Sequence, residues 1–470
     1  MPTLDPTTGL LADSTDAAPQ GDRLSVRAAE IADAEAVTFA TRTQASKALY
    51  ERALGSMPLG VPSSFQAGDP YPIYIDRGQA SQVWDVDRNQ YVDFHGGFGV
   101  GVTGHCHPTI ASAIARASSS GTHFAAPTPV VVDLAEELCR RFELDQVRFA
   151  NSGTEATMDA IRIARAATGR DDVVKIEGSY HGHHDTVMFS VLPNADALGS
   201  REFPPTTPMS AGIPADVAEH THVVPFNDAD AFEALLAERG SDVACLILEP
   251  VMMNIGIVEP EPGYLRSLKD LCDRHGVVLI FDEVKSGATV AEGGAGQRYG
   301  VRPHLACFAK ALFGGTPGAA FGGDAAVMDV IGHGAAQMGT FNGNPLVAAA
   351  GMACLTEVLT PAAYEQLAAM GARLSAGCQA AIDEHGIPAH TVDLGAKGCV
   401  SFRKDRSRNY RDFLATKPEL FGAAFPWAIN RDVFMTPGDE EQWTLSVQHS
   451  EADIDRYVDV FADFCATLAE

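Results

Sequence analysis

The 470-residue chain is short of positive charge and has no paired cysteines. Lys and Arg total 34 against 61 Asp and Glu, which gives a formal net charge of −27. Such a surface repels phosphate backbones and anionic lipid, which argues against nucleic-acid and membrane partners. The nine cysteines include no C-x-x-C pair. This excludes the usual zinc spacings, and free thiols fit a reducing compartment.

The sequence also has no apolar run near the roughly 18 residues that a membrane span needs. Its first 22 residues, MPTLDPTTGLLADSTDAAPQGD, contain neither the basic stretch nor the apolar stretch of a signal peptide. These absences predict a cytoplasmic protein. There is no G-x-x-x-x-G-K-[ST], and no G-x-G-x-x-G follows an apolar run. Nucleoside triphosphate and dinucleotide binding are therefore not supported.

What the chain does have, between residues 130 and 345, is one repeated theme. An apolar run ends in a polar or Gly-rich segment, and a helical pattern usually follows. The runs are VRFA, VVKI, VACLIL, VVLIF and LACFA. Continuous apolar strands alternating with helices predict an α/β fold, with a large, mostly parallel sheet covered by helices on both faces. In such sheets ligands bind outside the carboxyl ends of the strands, where the polar segments lie.

The flanking regions predict a smaller α+β domain and an arm. We predict an N-terminal arm (1–45, loose or a marginal helix), the first part of a small domain (46–98), a large domain (99–345) and the rest of the small domain (346–470). The second region contains YPIYI and VWDVDRNQYVDF, in which DRN indicates a turn between two strands. The last region has helical patterns at 361–385 and 451–468 and short strands at CVSFR and WTLSV.

The segment Asn151-Ser152-Gly153-Thr154-Glu155-Ala156 leads into an amphipathic helical pattern. Small residues at a helix start leave backbone N–H groups available, and the helix dipole favours an anion there. The segment therefore suits a single phosphate group. An ordinary capped helix start explains it about as well.

Two ionisable residues follow neighbouring apolar runs. In GVVLIFDE, Asp282 directly follows the apolar run, where a buried carboxylate is costly unless it meets a cation such as a protonated pyridine nitrogen. The adjacent Glu283 points the other way by strand alternation, which predicts that it faces solvent. Lys310 is the only charged residue in CFAKALFGGTPGAAFGG. A partly desolvated lysine there has a lowered pKa and can form a Schiff base with an aldehyde.

Two further motifs complete the set. Ser179-Tyr180-His181-Gly182-His183-His184-Asp185 follows VVKI, and its tyrosine can stack on a flat ring or pack in the core. Its three histidines lack a metal-binding helical spacing, so we predict no metal. The turn-rich stretch 339–345, GTFNGNP, opens a helix of small residues or forms a second phosphate-binding edge. A phosphate seat, a ring stack, a carboxylate and an amine at strand ends together fit pyridoxal phosphate.

The ordered motifs NSGTEA, SYHGHHD, EPV, FDEV, FAKALFGG and GTFNGNP resemble those of class III, fold-type I pyridoxal-phosphate aminotransferases. The nearest branch resembles the glutamate semialdehyde aminomutases and relatives that act on aryl or β-amino acids. The resemblance runs from about residue 46 to the C-terminus. It implies a fold-type I transferase with a smaller α+β domain, pyridoxal 5′-phosphate as cofactor with pyridoxamine phosphate as its intermediate form, and a homodimer with active sites at the subunit interface.

The resemblance also implies residue roles. Lys310 holds the cofactor as a Schiff base, Asp282 binds the pyridine nitrogen, and Tyr180 stacks on the ring. Thr340 completes the phosphate site of the partner subunit. The residues assigned to the cofactor are Ser152, Gly153, Thr154, Tyr180, His181, Glu249, Asp282, Val284, Lys310 and Thr340. Glu249 and Glu441 match acidic active-site positions of the family.

Two departures concern the substrate. Gln66 occupies the substrate-binding Arg position of the aminomutase-like segment, and Thr289 replaces the Arg of the family's DEVxTGFR. Neither side chain supplies the planar positive charge that suits a carboxylate. We therefore predict a substrate without a carboxylate at these places, or one bound by Lys285 or by an arginine such as Arg403. Gln66, Lys285, Thr289 and Glu441 are the candidate substrate residues.

The predicted function is ping-pong transamination between an amine or amino acid and a carbonyl acceptor. The alternatives are an aminomutase of the glutamate semialdehyde type, and a decarboxylase or epimerase that uses the same cofactor. A binding protein that kept the fold without the chemistry is a rival from another class. The retained Lys310 and Asp282 argue against it.

Overall fold

A computed structural model describes residues 23–470. The first 22 residues, about half of the predicted arm, lie outside the described residues. The chain forms two compact units. Residues 108–365 and 406–415 form one, the larger unit. The described residues up to 107, together with 366–405 and 416–470, form the other, the terminal unit.

The helices are numbered in chain order. They are α1 (Arg23–Arg42), α2 (Gln44–Ala53), α3 (Gly96–Gly99), α4 (Pro108–Ser120), α5 (Pro129–Phe142), α6 (Gly153–Thr168), α7 (Ala229–Arg239), α8 (Tyr264–His275), α9 (Gly294–Tyr299), α10 (Ala325–Met328), α11 (Pro345–Ala353), α12 (Pro361–His385), α13 (Tyr410–Phe413), α14 (Pro418–Asn430) and α15 (Glu451–Ala469). The predicted helices at 361–385 and 451–468 correspond to α12 and α15.

The strands are numbered in the same way. They are β1 (Ile75–Gln79), β2 (Gln82–Asp85), β3 (Gln90–Asp93), β4 (Gln146–Ala150), β5 (Asp172–Ile176), β6 (Thr221–Val224), β7 (Val243–Leu248), β8 (Val278–Asp282), β9 (Leu305–Phe308), β10 (Ala319–Gly323), β11 (His390–Asp393), β12 (Lys397–Ser401), β13 (Val433–Phe434) and β14 (Trp443–Thr444). Each of the five predicted apolar runs of the larger unit contributes a strand. Of YPIYI, only Ile75 is in a strand, because the hairpin begins there.

The larger unit is built on a seven-stranded sheet with the order β4-β10-β9-β8-β7-β5-β6. The neighbours from β9 to β6 pair in parallel, and β10 pairs antiparallel with both β9 and β4. This confirms the predicted mostly parallel sheet. The single reversed strand makes it mixed.

Both faces of this sheet are buried. Ala160 and Ile163 of α6 pack in one apolar cluster with side chains of β7, β8 and β9. On the other face, Phe142 of α5 contacts Phe308 with ring centroids 4.3 Å apart. Covering helices on both faces explain why the strands are apolar throughout instead of alternating.

The terminal unit contains two small sheets. One has the order β1-β2-β3-β13, and the other has the order β11-β12-β14. The aromatic side chains of Phe39, Tyr71 and Tyr91 pack in one cluster with Val83 and Ile429. Helix α1 (Arg23–Arg42) also belongs to this unit. Most of the predicted arm that the structure describes is therefore helical.

Within residues 23–470, no single helix is both long and apolar enough to cross a membrane. Two successive helical segments, Pro345–Val358 and Pro361–His385, meet the length and composition requirement only when they are taken together, and a bend of 75° separates them.

Candidate active site

The carboxyl ends of five strands of the larger sheet meet at one edge. Residues close to this edge pair across the sheet: Asp282 with Cys307, and Phe281 with Leu248. Strand β10 begins at the same edge, where Ala319 is opposite Ala150. The polar segments that follow β4, β5, β7, β8 and β9 therefore start side by side, as the sequence predicts.

Lys310 follows β9 by two residues and has an unusual backbone conformation. Its φ is +50°, in the left-handed region that non-glycine residues rarely adopt. Three buried residues follow it, Ala311, Leu312 and Phe313, while Lys310 itself is only partly buried. Strained backbone of this kind costs about 1–3 kcal/mol and persists where the surroundings impose it, often at functional sites.

Asp282, at the end of β8, is held by two hydrogen bonds. One carboxylate oxygen lies 2.8 Å from Nδ1 of His181, and the other accepts the backbone N–H of Val284 at 3.0 Å. Both Asp282 and His181 are buried. Nε2 of His181 is buried and has no hydrogen-bond partner among the described residues. Asp282 is thus fixed by its neighbours, and a polar atom close to it stays unsatisfied.

Tyr180 lies beside this pair and stays protonated at neutral pH. Burial, and then the charge of Asp282, raises the pKa of its hydroxyl to about 12. His184, from the same segment, lies 3.4 Å from the Thr157 hydroxyl. Burial, and then the neighbouring His181 and His183, lowers the pKa of His184 to about 3. This imidazole is therefore neutral.

Glu249, directly after β7, is a buried carboxylate that accepts three donors. They are the backbone N–H groups of Tyr180 (3.2 Å) and Met253 (2.9 Å) and the side-chain amide of Asn254 (2.9 Å). Burial raises its pKa. Glu249 therefore joins the segment after β5 to the loop after β7.

The predicted phosphate seat is the first turn of α6. Ser152 caps this helix, since its hydroxyl accepts the backbone N–H of Glu155 at 3.2 Å. The capping interpretation is thus correct for Ser152, while Gly153 and Thr154 form the first helical turn. A Cβ on Gly153 would lie 3.0 Å from both methyl groups of Val284. A side chain at residue 153 would therefore crowd the space between this turn and Val284.

The stretch 339–345 lies next to the phosphate seat. The amide of Asn151 donates to Oδ1 of Asn342 at 2.9 Å. Asn344 caps α11, as the helix-entry interpretation predicts. Thr340 is exposed, between the exposed side chains of Met338 and Phe341.

The prediction that Glu283 faces solvent is wrong. This residue is 2% exposed instead of facing solvent. Its carboxylate accepts the backbone N–H groups of Ala295 and Gly296, both at 2.8 Å, and the Ser286 hydroxyl at 2.7 Å. The alternation is correct. However, the start of α9 covers the face to which Glu283 points, and sequence periodicity does not report such tertiary cover.

Two candidate substrate residues lie just beyond β8 and contact the backbone. Lys285 is buried, and its Nζ donates to the carbonyl of Met253 at 2.7 Å. The Thr289 hydroxyl lies 2.7 Å from the carbonyl of Lys285 and 3.0 Å from that of Ser286. The hydroxyl of Thr289 thus closes its own turn.

The other candidates lie in the terminal unit. Gln66 ends a short 3₁₀ turn, Ser64–Gln66, and is exposed. Glu441 is buried. The guanidinium of Arg403 donates to the carbonyl of Asp405 at 2.9 Å. The residues assigned to the cofactor all belong to the larger unit, and three of the substrate candidates belong to the other unit.

Comparison with known proteins decides the family. Residues 64–420 match the family model described as aminotransferase class-III. The chain belongs to the class III aminotransferases. A glutamate-1-semialdehyde 2,1-aminomutase from Sorangium cellulosum is 40% identical over 425 residues, covering 89% of this chain and 95% of the relative.

Solved structures of this class III family have the same fold. An omega-transaminase from Sphaerobacter thermophilus is 33% identical, with a TM-score of 0.84 and coverage of 91% of this chain and 98% of the other. A glutamate-1-semialdehyde aminomutase from Pseudomonas aeruginosa in complex with PMP is 29% identical, with a TM-score of 0.86 and coverage of 94% and 99%. The fold-type I architecture is confirmed, as is pyridoxal phosphate as the cofactor of this class III chain.

The site residues fit that cofactor. A lysine amine, a buried carboxylate and an aromatic hydroxyl lie at one sheet edge, next to a helix start kept clear by glycine. The curated relatives carry the name of an aminomutase. Of the two predicted functions, the comparisons therefore support the aminomutase alternative better than intermolecular transamination.

Proposed function

We propose that this chain transfers an amino group between an amine or amino acid and a carbonyl acceptor by a ping-pong mechanism. The observation that carries the proposal is that Asp282 ends β8 and Lys310 follows the neighbouring β9 at one sheet edge, with Asp282 fixed by His181 at 2.8 Å. A lysine nucleophile and an oriented carboxylate are two groups that pyridoxal phosphate enzymes use, the first to hold the aldehyde and the second to bind the ring nitrogen.

The proposed roles follow from the chemistry of each side chain. When bound, pyridoxal phosphate supplies an aldehyde that captures amines and a ring that withdraws electrons from the substrate carbon. Lys310 would hold that aldehyde until an amine substrate takes its place, and its freed amine would then remove and return the substrate proton as a general base and acid. Asp282 would keep a proton on the ring nitrogen. Tyr180 would stack on the ring, and the backbone N–H groups of Gly153 and Thr154 would bind the phosphate at the start of α6.

We also propose a homodimer in which Thr340 binds the phosphate held by the partner subunit. In support, Thr340 is exposed in the single chain, and so are its apolar neighbours Met338 (84%) and Phe341 (59%). Large apolar side chains exposed together favour a protein contact.

The aminomutase is the second candidate, and the names of the curated relatives favour it. It requires the same residues but keeps the amino and carbonyl groups in one molecule. The exposed amide of Gln66 and the turn-closing hydroxyl of Thr289 favour the first candidate, because each replaces an arginine of the aminomutase-like pattern.

The first experiment separates these candidates. The purified protein is incubated with amine donors, with and without a carbonyl acceptor, and the products are analysed by mass and chirality. We expect turnover only when both substrates are present. Isomerisation of glutamate semialdehyde without an acceptor would establish the aminomutase. Loss of carbon dioxide or racemisation of a single substrate would establish a decarboxylase or an epimerase.

Gln66→Arg tests whether residue 66 contacts the carboxylate of the substrate. We expect activity with carboxylate-bearing donors to rise about 10-fold relative to matched amines without a carboxylate, because a bidentate charged contact contributes roughly 1.5–3 kcal/mol. The measurement is the ratio of kcat/KM for the two donors, and Gln66→Lys tests charge without the planar fork. An unchanged ratio in both variants would mean that residue 66 does not contact the substrate carboxylate.

A further inference from the structure

One peptide group beside Tyr180 lies between two buried ionisable side chains, the basic Lys175 and the acidic Glu249. Its carbonyl, from Ser179, accepts a hydrogen bond from Nζ of Lys175 at 3.0 Å. Its N–H, from Tyr180, donates to Oε1 of Glu249 at 3.2 Å. The amine of Lys175 thus meets the negative end of the peptide dipole, and the carboxyl group of Glu249 meets the positive end. Hydrogen bonds to charged groups are the stronger kind.

Neither Lys175 nor Glu249 is at the surface, where charged side chains keep a protein soluble. Lys175 is 0% exposed and Glu249 is 3% exposed. Burial lowers the pKa of Lys175 to about 7, and the charges of Glu249 and then Glu177 oppose that shift. Buried charges are costly, and an apolar residue in the middle of β5 would pack at a lower cost. The stability of the sheet alone therefore does not account for this lysine.

Both charged groups are themselves anchored to the sheet. Lys175 belongs to β5, and its Nζ also donates to the carbonyl of Phe189 at 2.6 Å. Glu249 follows β7, the neighbour of β5, and its second oxygen accepts from Met253 and Asn254. The peptide between Ser179 and Tyr180 is therefore fixed against two adjacent strands.

We infer that Lys175 is a positioning residue of the cofactor site, acting with Glu249 through the peptide between Ser179 and Tyr180. Rotation of this peptide would turn the Tyr180 ring and shift His181, which holds Asp282 at 2.8 Å. Lys175 thus sets the orientation of the ring-stacking and carboxylate-holding groups. The inference rests on the proposed cofactor site and assigns no chemical step to Lys175.

Lys175→Met tests this inference by removing the charge while keeping a side chain of similar length. We expect the dissociation constant for pyridoxal phosphate, measured on the apoprotein, to rise about 10-fold, in line with a lost charged hydrogen bond. We also expect the visible circular dichroism of the bound cofactor to change, because that signal depends on how the ring is held.

The partner charge provides an internal check. Glu249→Gln keeps an oxygen to accept the Tyr180 N–H but leaves Lys175 without its counter-charge. The double variant Lys175→Met/Glu249→Gln leaves no unpaired buried charge. We therefore expect its loss of cofactor affinity to be smaller than the product of the two single losses. If the double variant loses cofactor affinity by the full product of the two single losses, the inference is wrong.

Arg170→Leu is the matched control. This arginine also places a cation on backbone carbonyls of the larger unit, those of Gly240, Val243, His275 and Gly276, close to the start of β5. We expect it to lower the melting temperature and leave cofactor affinity and dichroism unchanged. The same pattern in Lys175→Met would show that Lys175 is only structural.

If Lys175→Met does not fold, Glu249→Gln alone must change the dichroism, and an unchanged signal there would overturn the inference. A wild-type protein that binds no pyridoxal phosphate would instead overturn the cofactor site itself.

Discussion

Lys310→Ala is expected to abolish turnover, with a fall in kcat/KM of more than ~10³-fold. The variant removes the amine that we propose holds the cofactor aldehyde and moves the substrate proton, and general acid–base catalysis alone contributes about 10²–10⁴-fold. Alanine in place of lysine at a φ of +50° meets a similar backbone strain. The fold should therefore persist, which the melting temperature checks.

Two measurements besides activity make this prediction specific. Borohydride treatment should fix the cofactor covalently to residue 310 of the wild type, detected by peptide mass spectrometry, and label no residue of Lys310→Ala. Lys310→Arg is the control, because it keeps the positive charge but not a nucleophilic amine. It should be as inactive as the alanine variant. Covalent labelling at another lysine, or activity in either variant, would contradict the assignment.

The sequence predicts the strand ends of the larger unit well, because each buried parallel strand is a continuous apolar run followed at once by a polar residue. The clearest cases are β7 before Glu249 and β8 ending at Asp282. These runs need no tertiary information. The local pattern also predicts α12 with the bounds that the structure has.

The partners of the site residues cannot be predicted in this way. His181 and Asp282 are 101 residues apart in the chain, and only the order of the strands brings them to 2.8 Å. Strand alternation predicts Glu283 in solvent, because no local pattern shows that α9 covers it. Nothing in the local pattern distinguishes Lys175 within its apolar strand, since its contacts are with the carbonyl of Ser179 and, through the next N–H, with Glu249.

Asp282→Asn is the second large effect that we expect, a fall in kcat of about 10²–10³-fold. The amide keeps the shape of the side chain and an oxygen for the Val284 N–H, but it removes the negative charge. An opposite charge nearby raises the pKa of a cation by roughly 1–3 units, so without it the ring nitrogen loses its proton near neutral pH. The Lys310 amine would then remove a substrate proton without an electron-withdrawing cation to assist it. Pre-steady-state absorbance after mixing with a donor alone should show a slow first half-reaction.

Glu283→Gln is the control for Asp282→Asn, because it neutralises the adjacent carboxylate, which is also buried. Glu283 bonds to the start of α9 and to Ser286, so its loss should cost about 1–3 kcal/mol of unfolding free energy and change kcat less than ~3-fold. The two substitutions should therefore have different effects: Asp282→Asn should lower kcat, and Glu283→Gln should lower the free energy of unfolding. If both variants lose the same activity in proportion to their stability, Asp282 has no specific role at the ring nitrogen. If Asp282→Asn retains the rate, another group must hold that proton.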